Sequence, residues 1–210
     1  KKVYRLCKEL GVLRPQRKIK AKYPRKLAQN RTVTAPNQLW ETDLKYGYIV
    51  GEDRFFYIQS IIDVYDREII DYHIGLRCEG EDAAATLVRA LMRRNLFESD
   101  VKPVIRSDNG PQFTSNKFED KCLEVNVEHE RIPCKTPNKN AHIESFHRIF
   151  EDECLGRWEF ESYEEAYKAV VDFMERYNYR RIHRSIFNLS PAEFHKATLN
   201  GTARTLTITL

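Results

Sequence analysis

The chain has 210 residues, of which 41% are hydrophobic and 31% are charged. This composition is typical of a globular protein with a substantial buried core. No run of about 18 apolar residues occurs, which argues against a membrane-spanning helix, and no secretion signal opens the chain. Five scattered cysteines without a C-x-x-C pair favour neither a disulfide framework nor a zinc site, so we expect a reducing cytoplasmic location. The missing initiator methionine suggests a fragment or a processed chain.

The net charge of +4 conceals an asymmetry along the chain. Residues 1–31 hold 12 Lys or Arg against one acid, for a net charge of +11, whereas residues 32–210 hold 23 basic and 30 acidic residues, for −7. A dense cluster of cations is where nucleic-acid phosphates are held, so this segment predicts a nucleic-acid partner. A solvated, disordered tail is the alternative.

The first half of the chain changes from a helical pattern to a strand pattern. Apolar residues at Val3, Leu6, Cys7 and Leu10 predict one amphipathic helix, ended by Gly11, which completes a small helical domain. Residues 14–36 carry prolines and many cations, which indicates an extended linker. Short turns then separate three predicted antiparallel strands, and a helix follows. The strands are expected near residues 39–50, 54–63 and 67–75, and the helix at 81–97.

The second half alternates strands with helices. The predicted elements are a strand at 103–107, a helix near 115–125, a strand at 127–132, a loop at 133–139, helices at 140–156 and 162–178, and a short helix from Ser190. This order predicts an α/β fold in which helices cover both faces of a mixed five-stranded sheet. We divide the chain into a helical segment and basic linker at 1–36, a core at 37–199 and a tail at 200–210.

Three acidic residues stand in positions where they could meet. Asp43 lies early in the first predicted strand, Asp108 follows the strand at 103–107, and Glu144 lies near the start of a helix, with 35 residues between it and Asp108. Three carboxylates offer the hard oxygen ligands that Mg²⁺ prefers when phosphodiesters are cut or joined, and two metals about 4 Å apart would share Asp43. Taken singly, any of these acids is more often a turn or surface residue.

The residues around the three acids resemble a known family. The segments Trp40-x-x-Asp43, Ser107–Ser115 and Ile143–Phe146 look like the three boxes of the integrase catalytic core, which retroviral integrases share with DDE transposases. The segments Tyr177–Ser185 and Leu189–Phe194 are similar to the closing signature of bacterial insertion-sequence transposases of family three, second-frame product. The opening Val3–Pro15 is similar to the end of the helical segment before that core.

This resemblance implies a ribonuclease H-like fold and a DNA transposase or integrase. Asp43, Asp108 and Glu144 would be the catalytic residues and would bind two Mg²⁺ ions, for which Mn²⁺ may substitute. The reactions would be 3′-end cleavage and strand transfer on double-stranded DNA, without a covalent enzyme–DNA intermediate. A homodimer or larger assembly on DNA is implied, with no membrane and no small-molecule substrate, in the cytoplasm at the bacterial nucleoid.

Further residues are candidates for DNA contacts. Cations and amides occupy the loop before the Glu144 helix, its exposed turns, and a late basic cluster. The predicted contacts are Asn109, Lys135, Asn138, Lys139, Asn140, His147, Arg148, Arg180, Arg181 and Arg184. The chain has no His₂Cys₂ zinc domain of the retroviral type. Two alternatives stay open at this point: a nuclease with the same carboxylates, and a truncated DNA-binding remnant without catalysis.

Overall fold

The computed structural model describes residues 1–13, 26–133 and 137–210. Its elements in chain order are α1 (Lys2–Glu9), β1 (Thr32–Val33), β2 (Leu39–Ile49), β3 (Arg54–Asp63), β4 (Ile69–Gly75), α2 (Gly80–Arg93), β5 (Val104–Ser107), α3 (Asn116–Glu124), β6 (Glu128–Arg131), α4 (Ala141–Phe150), α5 (Tyr163–Tyr179), α6 (Pro191–Leu199) and β7 (Ile208–Thr209). None of these helices is long and apolar enough to cross a membrane.

The main sheet has five strands in the order β4-β3-β2-β5-β6. Short turns join β2, β3 and β4, which pair antiparallel, as tight connections require. β5 and β6 run parallel to β2 because α2 and α3 carry the chain back across one face. The mixed five-stranded sheet predicted from the sequence is confirmed, with β2 at its centre.

Each face of the sheet is covered by a different pair of helices. Trp40 and Ile105 pack with α2 and α3 on one face. Ile58 and Ile62 pack with α4 and α5 on the other, against side chains such as Phe146. Because side chains alternate between the two faces along β2, Trp40 faces α2 and α3, whereas Glu41 and Asp43 face α4. Since burying an aromatic side chain of this kind contributes roughly 1.5–3 kcal/mol, this packing holds α4 against the centre of the sheet.

The structure differs from the sequence-based expectation at several element ends. Thr32 pairs with Thr209 and Val33 with Ile208, so β1 and β7 form a small second sheet where a linker and a tail were expected. The rest of the predicted linker, residues 14–25, lies outside the described residues. The helix expected at 140–156 is α-helical only to Phe150 and continues as a π-helical turn, Glu151–Leu155.

Candidate active site

The carboxyl end of β5 brings two of the predicted carboxylates together along the backbone. Thr42 of β2 is paired with Ser107 of β5 in parallel register, and an aspartate follows each of them. Asp43 Oδ1 accepts a hydrogen bond from the Leu44 N–H at 2.8 Å. Asp108 Oδ1 accepts one from the Gly110 N–H at 2.8 Å, which stabilises the turn after β5. The two aspartates therefore start from neighbouring backbone positions.

A buried glutamate fixes the helix that carries the third carboxylate. Glu41, fully buried on β2, accepts hydrogen bonds through Oε2 from the N–H groups of His142 and Ile143 at 3.0 and 2.9 Å. Its Oε1 lies 3.1 Å from Nδ1 of the His142 ring. These N–H groups belong to the first turn of α4 and have no partner within the helix, so Glu41 acts as their cap. Glu144, in the same turn, is exposed.

Burial and the charges of neighbouring acids raise the pKa values of Asp43 and Glu144. Burial raises the pKa of Asp43 to about 7; the Leu44 N–H bond lowers it, and the charges of Asp108, Glu144 and Glu41 raise it further. Burial, followed by the charge of Glu41, also raises the pKa of Glu144. The negative charges of both other predicted ligands, Asp108 and Glu144, therefore oppose the ionisation of Asp43.

The composition of the site fits a divalent cation. Within residues 1–13, 26–133 and 137–210, no lysine or arginine forms a salt bridge with any of the three carboxylates. Hard oxygen donors that repel one another and lack a cationic partner are the ligand set expected for Mg²⁺ or Mn²⁺. Ligand atoms of Asp43, Asp108 and Glu144 do not all lie within 4.8 Å of one another. In another trio of the described residues, the ligand atoms do lie within this distance.

That other trio is Asp66, Glu68 and His195, and a guanidinium already lies among them. Arg94 Nη1 lies 3.0 Å from Asp66 Oδ2, and Arg94 Nη2 lies 3.0 Å from Glu68 Oε2. His195 Nδ1 is 2.7 Å from Asp66 Oδ2. Because Arg94 supplies the positive charge, this trio is an ion-pair network that ties α2 and α6 to the β3–β4 hairpin.

His147 is placed against Asp43 on the buried side of α4. Its Nδ1 is 3.5 Å from Asp43 Oδ2, and the residue is 9% exposed. Burial lowers the pKa of His147 to about 4, and the nearby charge of Lys45 lowers it as well. The neutral imidazole of His147 therefore lies against Asp43, whereas the sequence suggested that this residue faces DNA.

The other predicted DNA contacts are spread over several elements. The Asn109 amide donates to the Ile132 carbonyl at 2.9 Å, Lys139 bonds the Asn30 side chain, and Asn140 is buried. Arg181 pairs with Glu153 at 2.9 Å. Exposed positions are Arg148, Arg180 and Arg184. Lys135 and the side chain of Asn138 lie outside the described part.

Two residues important to this geometry were missed by the sequence-based prediction, Glu41 and Arg67. Glu41 stands two positions before Asp43, so alternation along a strand puts both on one face. The sequence therefore contains a signal for Glu41. Arg67 lies in the β3–β4 turn and lines a cavity that also borders His142 and Ser145 of α4. Nothing in its sequence context indicates this cavity.

Comparisons with known proteins agree with this architecture. One integrase core domain model matches residues 33–137, and a second integrase core domain model matches residues 125–191. This chain belongs to the integrase core family. It is 33% identical over 195 residues to the "Insertion element IS476 uncharacterized 39.2 kDa protein" of Xanthomonas euvesicatoria, a match that covers 92% of this chain and 54% of that protein.

Transposases of Escherichia coli strain K12 are also similar. The chain is 28% identical to the "Putative transposase InsK for insertion sequence element IS150", over 83% of this chain and 60% of that protein. It is 26% identical to the "Transposase InsF for insertion sequence IS3A", over 82% and 59%. The resemblance to bacterial insertion-sequence transposases of family three is confirmed. The chain spans little more than half the length of these three relatives.

Solved structures of integrases share the fold. A chain of a simian T-cell lymphotropic virus intasome, in complex with PP2A regulatory subunit B56 gamma, superposes with a TM-score of 0.60 at 16% identity, over 84% of this chain and 59% of that one. The HTLV-2 integrase catalytic core domain in complex with magnesium gives 0.50 at 15% identity, over 77% and 97%. The predicted ribonuclease H-like fold is confirmed.

Proposed function

We propose that this protein is a DDE-type DNA transposase, in which Asp43, Asp108 and Glu144 bind two divalent cations, Mg²⁺ or Mn²⁺. The observation that carries the proposal is that Asp43 and Asp108 directly follow paired residues of β2 and β5, while Glu41 of β2 binds the turn of α4 that contains Glu144, in an integrase-type fold. Clustered carboxylates repel DNA phosphates unless cations lie between them. The combination of such carboxylates with an integrase-type fold therefore favours a metal-dependent phosphodiester chemistry.

When bound, the cations supply Lewis-acid stabilisation of the attacking and leaving oxygens. The protein's own contribution is to hold the ligands in place. Glu41 fixes the first turn of α4, and therefore Glu144, relative to β2. His147 backs Asp43 with a neutral ring, which limits the positions open to that carboxylate. Asp43, flanked by the other two acids, would contribute carboxylate oxygens to the metal-binding site.

The substrate would be double-stranded DNA at the ends of a mobile element and at its target. In the first reaction, water attacks the phosphorus and a 3′-hydroxyl leaves; in the second, that hydroxyl attacks another phosphodiester and displaces a new 3′-hydroxyl. Neither step forms a bond between enzyme and DNA. The basic residues 1–36 would contact the DNA backbone. We also propose a dimer or larger assembly, because two ends are handled together.

A strand-transfer assay tests this proposal. Labelled duplexes with a free 3′-hydroxyl are incubated with the protein in Mg²⁺, Mn²⁺ or EDTA, with Asp108→Asn beside the wild type. Asp100→Asn is the matched control, since Asp100 is exposed and precedes the opposite end of β5. We expect joined products that require a divalent cation, persist in the control and disappear in Asp108→Asn.

Other outcomes discriminate against the proposal. Joined products that survive in Asp108→Asn would refute the role of the three carboxylates. Cleavage that never leads to joining would identify a nuclease of the same fold. Binding without any reaction, in every metal condition, would identify a DNA-binding remnant.

A further inference from the structure

A polar cavity of about 210 Å³ lies behind α4, between that helix, the β3–β4 hairpin and the end of α5. Its polar lining comes from Arg67, His142, Ser145, Tyr177, His183 and Ser185. Two of these residues, His142 and Ser145, stand on either side of Glu144 in the sequence, and Ser145 is exposed. The cavity therefore borders the turn of α4 that carries the proposed metal ligand.

Arg67 reaches this cavity from a conformation that arginine rarely adopts. Its N–H donates to the Asp63 carbonyl at 3.0 Å, and the Asp63 N–H donates to the Glu68 carbonyl at 3.0 Å, which closes a tight hairpin loop. Arg67 has a φ of 66°. Glycine or asparagine is the usual residue at such a position, and a residue with a longer side chain costs about 1–2 kcal/mol there. The loop gives no conformational reason for an arginine.

Among the residues that the structure describes, no acid forms a salt bridge with the guanidinium of Arg67. Its Nη1 is buried and has no hydrogen-bond partner in the described residues. Burial lowers the pKa of Arg67, against the charges of Glu41, Asp63 and Asp66 among others, which raise it. In the described residues these carboxylates form their hydrogen bonds with groups other than Arg67: Glu41 accepts from His142 and Ile143, Asp63 from Asn37 and Tyr65, and Asp66 pairs with Arg94. A partly buried guanidinium without a hydrogen-bonded anion destabilises the folded protein unless an anion binds to it.

A second donor faces the same cavity. His183 is 8% exposed, and its Nε2 is buried without a partner in the part of the chain that the structure describes. Its ring packs edge-on against Tyr177, with centroids 4.9 Å apart. Burial lowers the pKa of His183 to about 4, as do the charges of Arg181 and Arg67. A neutral imidazole that carries its proton on Nε2 can donate to an oxygen in the cavity.

These features select an anion rather than water. Water could satisfy the two orphan donors, but a charged guanidinium forms a stronger hydrogen bond with an anion than with a neutral acceptor. A tetrahedral oxyanion satisfies both donors and the charge, and arginine is well suited to it because its planar fork offers parallel N–H groups. Ser145 and Ser185 add hydroxyl donors at the lining.

We propose that this cavity is a phosphate subsite, in which Arg67 and His183 hold one phosphodiester of the bound DNA beside the turn that carries Glu144. The inference rests on the proposed function for the identity of DNA as the ligand. Free inorganic phosphate has the same chemistry and is separated from DNA by the experiment.

The decisive variants are Arg67→Gly and Arg67→Asn, both of which suit a positive φ. Arg77→Asn is the matched control, because Arg77 is an exposed arginine with the same charge. Thermal unfolding of the whole chain is followed in inorganic phosphate against chloride at equal ionic strength. Binding to a labelled duplex is then measured as a function of salt concentration.

We expect both Arg67 variants to unfold at the wild-type temperature or above it in chloride, since strain and an unpaired charge are removed. Phosphate should raise the unfolding temperature of the wild type and of Arg77→Asn but not of the Arg67 variants. The slope of log K against log salt should fall in magnitude by about 1 in the Arg67 variants, as loss of one phosphate contact predicts.

Three results would overturn the subsite. The first is a lower unfolding temperature of Arg67→Gly in chloride, which would show a structural role. The second is a phosphate effect that is absent in the wild type or retained in the variants. The third is an unchanged salt slope despite phosphate binding, which would assign the cavity to free phosphate. None of these measurements depends on strand transfer, so an inactive wild type would count against the proposed function alone.

Discussion

Glu41 should control the position of the helix that carries Glu144, and its replacement by alanine or glutamine separates this role from simple burial. Both backbone bonds from the first turn of α4 end on the same oxygen, Oε2. Glutamine can place its amide oxygen there and turn its NH₂ group toward Nδ1 of His142, at the site of Oε1. Alanine retains none of these contacts.

The expected magnitudes follow from the groups left without partners. In Glu41→Ala, two N–H groups at a buried helix start lose their acceptor, and each such loss costs about 1–3 kcal/mol. We therefore expect a decrease of roughly 2–5 kcal/mol in the free energy of unfolding, including the lost cap. Each kcal/mol lowers Tm by about 2–4 °C in a domain of this size.

Glu41→Gln is the matched variant and should remain within about 1 kcal/mol of the wild type. It loses the favourable charge at a helix N-terminus, but it also removes a carboxylate whose burial raises its pKa to about 7. Thermal unfolding and strand transfer are measured on both variants well below their Tm. We expect Glu41→Ala to lose strand transfer where it is still folded, and Glu41→Gln to retain it.

The reasoning would be refuted by an alanine variant that keeps both its stability, within about 0.5 kcal/mol, and its strand transfer. Equal loss of activity in the alanine and glutamine variants would show that the charge of Glu41, rather than its hydrogen bonds to α4, is what matters.

Three further predictions concern the charged groups. The pKa of Asp43, raised to about 7, means that the folded state retains a proton that the unfolded chain has released, so stability without metal should fall as pH rises from about 4 to 7. Mg²⁺ should raise Tm increasingly over that range. Asp43→Asn should abolish the Mg²⁺ effect and weaken the pH trend, of which the part due to Glu41 and Asp63, with pKa values also raised to about 7, should remain. Asp66→Asn should cost roughly 1.5–3 kcal/mol, because Arg94 loses its charged hydrogen-bond partner at Asp66 and keeps its pair with Glu68, and Zn²⁺ should not raise the wild-type Tm through this group. Arg106→Met should likewise cost roughly 3–5 kcal/mol, measured by denaturant unfolding, because Arg106 and Glu130 are a fully buried pair 3.1 Å apart; a smaller loss would mean that the remaining partners of Glu130 compensate.

The parts of the fold that could be predicted are those with short-range signals. β2 to β4 follow from alternating, β-branched and aromatic residues with tight turns between them. Asp108 could be placed at a strand end because an apolar strand precedes it and Asn109-Gly110 follows it. Here the local pattern and the tertiary structure agree.

The remaining parts depend on contacts between residues far apart in the chain. β1 and β7 are two residues each, and their pairing joins positions 32–33 with 208–209, so neither has enough residues for a periodic pattern. No turn residue in the sequence marks the change from α-helix to π-helix after Phe150. At Arg67, the sequence shows an arginine in a turn, whereas its significance lies in the cavity and the missing counter-charge.

The first turn of α4 shows why the candidate site is more than its three acids. On one side, His142 and Ile143 donate to Glu41, which lies about 100 residues away in the chain. On another, His142 and Ser145 border the cavity of Arg67 and His183. Glu144 lies between these contacts and makes neither. Its position therefore depends on the contacts of this turn with β2 and also on its contacts with the proposed phosphate subsite. An anion in the cavity should consequently influence metal binding at Glu144 through the placement of one helical turn, and phosphate titrations of Mg²⁺ affinity in wild type and Arg67→Asn would measure that coupling. Equal phosphate effects in both proteins would show that the two sides of the turn act independently.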